Sequence, residues 1–238
     1  HAAAYHAIHE LQPQARVGLA HHIQLIDPWR PDFAPDRWVA ALQNRIFNEV
    51  VPQAVHTGRI MFPVGSGLRS EHVPGLAGTM DYVGVNYYSR RRSMFDPSRP
   101  GSLFGRTFHT PDAEADHIGQ NELYPEGLFR VLKWANEFGK PILVTENGWG
   151  DVDEERRARA LMMHLRQLWR AVNFNWPVHG YYYWTLVDNF EWERGWIQPF
   201  GLYALDIATQ TRTPRPVAKL YAEVCNTNTV SSDMAARY

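Results

Sequence analysis

The sequence has a single cysteine, no excess of charge of either sign and no apolar run long enough to span a membrane. Because Cys225 has no second thiol to pair with, an internal disulfide is excluded, and we expect a reducing compartment, the cytoplasm. The 24 Lys and Arg residues balance 25 Asp and Glu residues, which leaves little positive charge for nucleic-acid phosphates. We therefore expect neither a nucleic-acid-binding protein nor a membrane protein.

The sequence also gives little indication that the protein binds a nucleotide or a metal ion. No Gly-rich strand-to-helix loop of the spacing that cradles phosphates is present. Of the 11 His residues, His21 and His22 are adjacent at the end of a predicted strand and must point to opposite faces. A metal needs three or four converging ligands, so we expect no metal and no cofactor. One histidine of this pair is expected to reach the substrate or Tyr88, and the other to pack among helices.

Aromatic residues, in contrast, are abundant, and four strand–loop–helix units follow one another along the chain. Phe, Trp and Tyr make up 13% of the residues, and their rings fill cores or stack on sugars. The predicted strands are Arg16 to His22, Met80 to Tyr88, Pro141 to Thr145 and Val178 to Leu186. Because each is followed by residues with helical periodicity, we predict an α/β fold with a parallel sheet covered by helices.

The remaining segments complete this outline. The predicted helices are Arg37 to His56, Pro125 to Phe138, Asp153 to Asn173 and Pro216 to Val224. The first residues, HAAAYHAIHEL, read as the middle of an amphipathic helix, which indicates part of a longer protein. Ser89 to Glu122 is predicted to be a long polar loop that shapes the entrance for the leaving group. No linker divides residues 1–238 into two domains, and the tail, 226–238, is expected to be frayed.

Polar side chains follow the end of each predicted strand. In parallel α/β folds the catalytic and ligand-binding residues lie at these carboxyl ends. They are His21 and His22, Asn86 and Tyr88, Glu146 and Asn147, and Asp188, Asn189 and Glu191. Glu146 follows an apolar strand and precedes Asn-Gly, so its carboxylate is expected to project into the site. Asn86 and Tyr88 point to the same side, where a phenol could hydrogen-bond a carboxylate. A carboxylate beside an indole, as in Glu191-Trp192, suits a sugar.

Five stretches of this sequence resemble the retaining β-glycosidases of glycoside hydrolase family 1, in order and in spacing. They are YVGVNYYSR (82–90), YPEGL (124–128), PILVTENGWG (141–150), YYYWTLVDNFEWERGW (181–196) and FGLYALDIATQTRTPRP (200–216). The resemblance implies a (β/α)8 TIM barrel, of which this chain supplies about the last four βα units as a single partial domain, strands 5 to 8. It also implies a retaining hydrolase that acts on β-glucosides or related neutral β-glycosides through a covalent glycosyl-enzyme.

The resemblance implies the following catalytic residues. Glu146 resembles the nucleophile, and Tyr88 resembles the phenol that hydrogen-bonds it. Asn86 matches the family's Asn on the same strand face. No metal or other cofactor takes part in this chemistry, which needs two carboxyl groups.

The sugar-binding residues implied by the resemblance lie later in the chain. Glu191 resembles the acid that holds the 4- and 6-hydroxyls, and Trp192 a donor to the 3-hydroxyl. Trp184 resembles the platform under the sugar ring, and Phe200 a lining residue. The Glu-Trp pair at 191–192 favours a neutral sugar over a 6-phosphosugar.

One element of the family pattern is absent from these residues. The acid/base Glu of the family lies in an N-E-P motif at the end of the fourth strand, and this chain has no N-E-P. The run 47–50, FNEV, is similar but belongs to a predicted helix, where Glu49 is expected to be exposed beside core residues Phe47 and Val50. Asn121 stands where the family usually has a Trp. We expect the acid/base Glu in a missing N-terminal half.

Half a barrel would leave two unpaired strand edges, at Arg16 to His22 and at Val178 to Leu186. We therefore expect a partner: an N-terminal half-barrel, either covalent or a separate chain, or a second copy of this chain. The isolated chain is expected to be inactive on ordinary β-glycosides. The alternative interpretation is a non-catalytic sugar-binding or interaction fragment that has the aromatic cleft without the acid.

Overall fold

A computed structural model of the chain describes residues 1–64 and 67–238. Its strands are β1 (Gly18–Pro28), β2 (Arg59–Val64), β3 (Gly67–His72), β4 (Tyr82–Phe95), β5 (Gly105–Phe108), β6 (Ile142–Asn147), β7 (Val178–Tyr183), β8 (Tyr203–Leu205) and β9 (Arg212–Pro214). Its α-helices are α1 (Ala2–Leu11), α2 (Ala34–Asn44), α3 (Val50–Thr57), α4 (Glu126–Asn136), α5 (Glu154–Asn173), α6 (Pro216–Thr227) and α7 (Ser232–Arg237). None of the helices formed by these described residues is long and apolar enough to cross a membrane.

The main sheet consists of β1, β4, β6 and β7, which lie side by side in chain order and run parallel. Helices α2 and α3 connect β1 to β4, α4 connects β4 to β6, and α5 connects β6 to β7. Consecutive parallel strands joined through helices are the repeating unit of a (β/α) barrel. The predicted α/β fold with four consecutive βα units is therefore confirmed.

The outer face of this sheet forms the main core with the helices. On β4, Val83, Val85 and Tyr87 alternate with residues of the other face and are almost fully buried. Leu128 and Leu132 of α4 belong to the same buried cluster. Because successive side chains of a strand point to opposite faces, the intervening residues of β4 are left for the inner face of the sheet.

Within the described part of the chain, β1 and β7 are the two end strands of the main sheet. On β7, Tyr182 is 59% exposed, an unusual exposure for a ring in a parallel sheet. A closed barrel has no edge strands, and its parallel strands are covered on both faces. The two strand edges expected from the sequence are present at these positions.

Strand β4 extends farther than the sequence indicated. It continues to Phe95 and pairs with the antiparallel β5, so the segment predicted as a loop from Ser89 begins as a strand. Ion pairs stabilise this extension: Arg90 Nη1 lies 3.3 Å from Asp27 Oδ2 of β1. Arg90 Nε lies 2.6 Å from Glu122 Oε1. Arg90, which lies in a charged segment that resembles a loop in the sequence, is thus held in the strand between the counter-charges of Asp27 and Glu122.

The helix predicted over Arg37 to His56 contains one π-helical turn, Arg45–Glu49. Asn48 in this turn faces the sheet, where its side chain hydrogen-bonds both backbone groups of a β1 residue at 3.0 and 2.9 Å. The prediction for Phe47 is wrong: it is 49% exposed rather than in the core. Glu49 is half-buried rather than exposed. A π turn rotates the residues that follow it, and sequence periodicity does not detect that rotation.

The tail, expected to be frayed from Asn226, is instead folded onto the domain. Helix α6 continues to Thr227, and α7 begins after the N-cap Ser231, whose Oγ accepts the Met234 N–H at 3.1 Å. Met234 is only 1% exposed. Met234 docks the tail, together with the partly buried Val230, which packs against the same apolar cluster, and two such isolated residues give no periodic signal in the sequence.

Candidate active site

A cleft of about 460 Å³ opens at the carboxyl-terminal ends of the main strands. Each strand contributes to its lining: His22 from β1, Tyr88 from β4, Glu146 from β6, and Trp184, which follows β7 directly. Parallel strands in one sheet bring residues that are distant in the sequence to a common edge. The predicted convergence of the strand ends is therefore observed for these four residues.

The Glu146 carboxylate and the Tyr88 phenol are in direct contact. The phenol O–H donates to Glu146 Oε2 over 2.6 Å, a short distance typical of a charge-assisted hydrogen bond. Burial raises the pKa of Tyr88, and the negative charges of Glu146 and Glu191 raise it further. The proton therefore remains on the phenol, so Tyr88 is the donor and Glu146 the acceptor.

The pairing of β4 with β6 explains how this contact forms. Glu146 lies opposite Asn86 in the ladder, after a register shift between the two strands. At the end of β6, the Asn147 side chain donates to the Tyr87 carbonyl and accepts from the Tyr181 hydroxyl, each over 2.7 Å. These bonds hold the strand end in place, so the carboxylate that precedes it has a defined direction.

Asn86 lies on the strand that carries Tyr88 but deeper in the molecule than the cleft. Its Oδ1 accepts a 2.5 Å hydrogen bond from Thr145 Oγ1, and only 8% of the residue is exposed. It is not among the residues that line the cleft. Asn86 therefore contacts the strand that carries Glu146, and its role in binding a substrate stays a prediction.

Glu191 and Trp192 line the cleft from the loop after β7. Trp192 begins a short 3₁₀ turn with a left-handed φ of 49°, and its side chain is 77% exposed. Burial raises the pKa of Glu191; the Trp184 indole and the Arg194 charge oppose this shift, and the Glu146 charge adds to it. The cleft thus combines two carboxylates that accept hydroxyl hydrogen bonds with two indoles that can cover a sugar face.

Phe200 supports the cleft from behind. It is 4% exposed, and its ring meets the Tyr88 ring edge-on at a centroid distance of 6.0 Å. The loop that carries Phe200 is held by the fully buried Arg157 of α5, which donates to the carbonyls of Pro199 at 2.6 Å and Phe200 at 3.1 Å. Arg157 also donates to the Gly201 carbonyl. The Arg157 guanidinium therefore holds three consecutive carbonyls of the loop, and Arg215 Nη1 also donates to the Gly201 carbonyl at 2.9 Å.

His21 and His22 face opposite sides of the sheet, as their adjacency predicted. His21 Nε2 lies 3.0 Å from the Asn48 carbonyl in the helical layer. The His22 ring lines the cleft, 5.9 Å from the Tyr88 ring between centroids. Across residues 1–64 and 67–238, no three His, Cys, Asp or Glu side chains are grouped so as to hold a metal ion.

Asp188, which the sequence placed among the converging polar residues, lies outside the cleft lining. Its carboxylate oxygens accept from the Arg215 guanidinium at 2.8 and 3.0 Å, and Oδ1 also accepts the Gly201 N–H at 2.8 Å. The expectation that it joins the site is wrong. An acidic residue after a strand has the same local signature whether it faces a ligand or an arginine far along the chain.

The cleft lining also contains Gln24 and Arg91, which lie outside the quoted family stretches, and Arg194, which lies inside one of them but was given no role. Gln24 and Arg91 lie beyond the points at which their strands were predicted to end. For Gln24 a signal exists in the sequence: Ile23 and Leu25 continue the apolar pattern past the predicted end of β1. Arg91 and Arg194 lie in charged segments that have no comparable signal.

The cleft combines a carboxylate hydrogen-bonded by a phenol with a second carboxylate and two indoles, all at the carboxyl ends of parallel strands. Sites of this kind are found in (β/α)-barrel glycoside hydrolases. The chain belongs to glycosyl hydrolase family 1, whose family model matches residues 1–230. The family resemblance read from the motifs is confirmed. The main sheet accordingly represents part of a (β/α)8 barrel.

Relatives of known structure or name agree with this assignment. The β-galactosidase of Pyrococcus woesei is 30% identical over 97% of this chain and 50% of its own length. β-Glucosidase A of Thermotoga maritima is 34% identical over 63% of this chain and 35% of its own length. The structure of a β-glycosidase from Pyrococcus horikoshii matches with a TM-score of 0.88 at 28% identity, over 100% of this chain and 54% of that one. The chain spans about half the length of the curated relatives it matches.

Proposed function

We propose that this chain forms the second half of the catalytic barrel of a retaining β-glycosidase, in which Glu146 is the nucleophile. The observation that carries the proposal is the 2.6 Å hydrogen bond from Tyr88 to Glu146 within a cleft that Glu191 also lines. A carboxylate held in this way at the end of a barrel strand is suited to attack a bound sugar. The names of the relatives, β-galactosidase and β-glucosidase, support a β-glycoside as the substrate.

In the proposed reaction, one oxygen of Glu146 attacks the anomeric carbon and forms a glycosyl ester while the bond from that carbon to the leaving oxygen breaks. A second carboxylic acid protonates the leaving oxygen. As a carboxylate, it then takes a proton from the water that hydrolyses the ester. Since Tyr88 holds Oε2 of Glu146, the other oxygen is oriented for the attack. Retention requires the two carboxyl groups to lie about 5–5.5 Å apart.

The other residues of the cleft are proposed to bind the sugar. Glu191 accepts hydrogen bonds from the 4- and 6-hydroxyls, Trp192 donates to the 3-hydroxyl, and Trp184 lies under the ring. Phe200 packs against Tyr88 and so keeps the phenol in place. A carboxylate at position 191 would repel a 6-phosphate group, because like charges in a partly buried site disfavour each other. A neutral β-glycoside is therefore the expected substrate.

The acid/base carboxylate is proposed to come from an N-terminal half-barrel, which is either covalently joined or a separate chain, or from a second copy of this chain. The position of β1 and β7 as end strands of the main sheet, in the described part of the chain, supports this partner, as does the lack of an N-E-P motif in the sequence. The half-length match to the relatives is consistent with it. Without the partner, hydrolysis of ordinary aryl β-glucosides should be negligible.

Covalent labelling followed by mass spectrometry tests the nucleophile. 2,4-Dinitrophenyl 2-deoxy-2-fluoro-β-glucoside has a leaving group that needs little protonation, so the chain without its acid should still react. We expect one fluoroglucosyl group on Glu146 and none on the E146Q variant. The matched control is E49Q, because Glu49 lies in the helical segment after β1 and not in the cleft lining, and this variant should label like the wild type. Labelling of E146Q at the wild-type rate would refute the proposal.

The second candidate is a sugar-binding or interaction fragment without catalysis. The lack of an N-E-P motif in the 238 residues favours it. Such a protein would bind phenyl β-glucoside in the cleft, and Glu146 would remain unlabelled by the activated fluoroglucoside. The labelling experiment therefore separates the two candidates when it is combined with a binding measurement.

A further inference from the structure

The outer part of the cleft contains two guanidinium groups, those of Arg91 and Arg194, that the proposed reaction does not use. Arg91 follows Tyr88 by three residues on β4. A strand rises about 3.3 Å per residue, so Arg91 lies about 10 Å nearer the mouth. A register shift between β1 and β4 in this stretch adds one residue to β4 and returns Arg91 to the face of Tyr88. A group bonded to a sugar at Glu146 would extend toward this position.

Arg91 is half-buried, and within residues 1–64 and 67–238 its guanidinium makes no ion pair. Its described hydrogen bond runs from Nη2 to the Gln120 carbonyl at 2.6 Å. Burial lowers the pKa of Arg91; the charges of Asp116 and Glu122 oppose this shift, and the charge of Arg194 adds to it. A partly desolvated cation beside a second cation is unfavourable unless a counter-ion is supplied.

Two acidic residues close to Arg91, Asp116 and Glu122, are occupied by other donors, whereas Glu191 and Glu193 line the same cleft as Arg194. Asp116 accepts from the side chains of Gln198 at 2.7 Å and Asn121 at 3.0 Å. It also accepts two backbone N–H groups. Glu122 is paired with Arg90 at 2.6 Å. The carboxylates of Asp116 and Glu122 are therefore committed to holding the loop, and they leave the Arg91 guanidinium available for a ligand.

Arg194 and Arg91 share one hydrogen-bond partner, Gln120. Arg194 Nη1 donates to Gln198 Oε1 at 2.5 Å, and its Nη2 lies 3.5 Å from the side-chain oxygen of Gln120. The carboxylate of Glu193 is 4.0 Å from Arg194 Nε, and its side chain is 82% exposed, so that pair contributes little. Gln120 thus contacts both arginines, through its carbonyl and its side chain, and keeps two cations together.

We propose that Arg91 and Arg194 form an anion subsite for the leaving group, so that the protein prefers β-glycosides whose leaving group carries a carboxylate or a similar anion. The inference rests on the proposed function, because the sugar must lie at Glu146. Neighbouring guanidinium groups match the flat, two-oxygen geometry of a carboxylate. The anion belongs to the leaving group and not to the sugar, because Glu191 at the sugar position would repel it.

Binding of 4-carboxyphenyl β-glucoside and of its uncharged methyl ester to the full chain tests this inference. Trp184 and Trp192 line the cleft, so quenching of tryptophan fluorescence reports occupancy. We expect the acid to bind at least about tenfold more tightly than the ester, because a hydrogen bond between charged groups contributes this much. The advantage should shrink in 0.5 M NaCl, since salt screens a partly exposed pair.

The R91Q and R194Q variants should each lose most of the preference for the acid while binding the ester as the wild type does. The matched control is R92Q, because Arg92 is the next residue on β4 and its Nε donates to Thr110 Oγ1 at 3.2 Å outside the cleft. R92Q should keep the preference. A 4-phosphophenyl β-glucoside, tested alongside, should share it, because the subsite recognises negative charge.

Equal affinity for acid and ester in the wild type would overturn the anion subsite. A preference that survives in both R91Q and R194Q would overturn it as well. Either result leaves the glycosidase proposal intact if Glu146 is still labelled by the activated fluoroglucoside. Failure of both compounds to bind, together with an unlabelled Glu146, would instead refute the anion subsite and the proposed function together.

Discussion

The Tyr88 hydroxyl donates a 2.6 Å hydrogen bond to Glu146 Oε2, and the two residues are 58 positions apart in the sequence. The contact joins two neighbouring strands of the main sheet at their carboxyl ends. It occupies one oxygen of the carboxylate and so determines the direction of the other. The proposed nucleophile therefore depends on a residue that takes no part in bond making.

Replacement of Tyr88 by Phe should slow the labelling of Glu146 by the activated fluoroglucoside. We expect a reduction of about 10- to 100-fold, because a hydrogen bond to a charged group contributes about 1.5–3 kcal/mol. The rate is measured by intact-mass spectrometry over time. Y182F, which removes a phenol from a ring that is 59% exposed, serves as the control. An unchanged rate in Y88F would show that the phenol does not orient the carboxylate.

Replacement of Arg157 by Ala should destabilise the chain. The guanidinium donates to the carbonyls of Pro199 and Phe200; without it the Pro199 carbonyl loses this donor, and the buried Phe200 carbonyl keeps the Thr185 N–H at 3.4 Å. We expect a loss of about 3 kcal/mol or more in the free energy of unfolding, measured in urea. R212A changes an exposed arginine and should stay within about 0.5 kcal/mol of the wild type. A similarly small loss for R157A would contradict the proposed support of the loop.

His164 on α5 should make the stability pH-dependent. It is 2% exposed, and burial lowers its pKa to about 4. The unfolded chain, with the ordinary His pKa of about 6.5, binds a proton that the folded chain does not bind until lower pH. The stability contributed by neutral His164 is therefore complete above about pH 6.5, is lost progressively toward pH 4, and is reduced by about 2 kcal/mol at pH 5.

The control for this pH effect is the H164L variant, whose side chain does not titrate. Urea unfolding at pH 7 and at pH 5 gives the difference for each protein. We expect the wild type to lose more stability than H164L between these values. Equal losses in the two proteins would show that other groups account for the acid sensitivity.

The chain by itself should not behave as a monomer. Within the described residues β1 and β7 end the main sheet, and the side chains of Asn44 and Asn48 cover the outer edge of β1 only at Ile26 and Gln24, so we expect self-association or precipitation. Sedimentation velocity gives the size of the species, and thermal unfolding gives the cooperativity. A soluble monomer with one cooperative transition would contradict this prediction and weaken the case for a partner half.

Much of the fold could be predicted because its signals are local. The apolar run that ends in Glu146 identifies β6 and the carboxylate at its end from neighbouring residues alone. The extension of β4 could not be predicted, because it depends on the pairing of Arg90 with Asp27 on another strand. The burial of Met234 could not be predicted either, since it depends on a surface formed by distant parts of the chain.

In the candidate site, too, some features follow from local sequence signals and others depend on distant residues. The sequence by itself determined which side chains lie at the strand ends, because strand periodicity and the family motifs depend only on residues that are close together in the chain. Only the tertiary structure decided which of them meet. Strand register brought Tyr88 to Glu146 and returned Arg91 to the cleft, while Arg215 drew Asp188 away from it. Strand register and long-range ion pairs join residues that are far apart in the chain, so no local sequence pattern predicts these contacts.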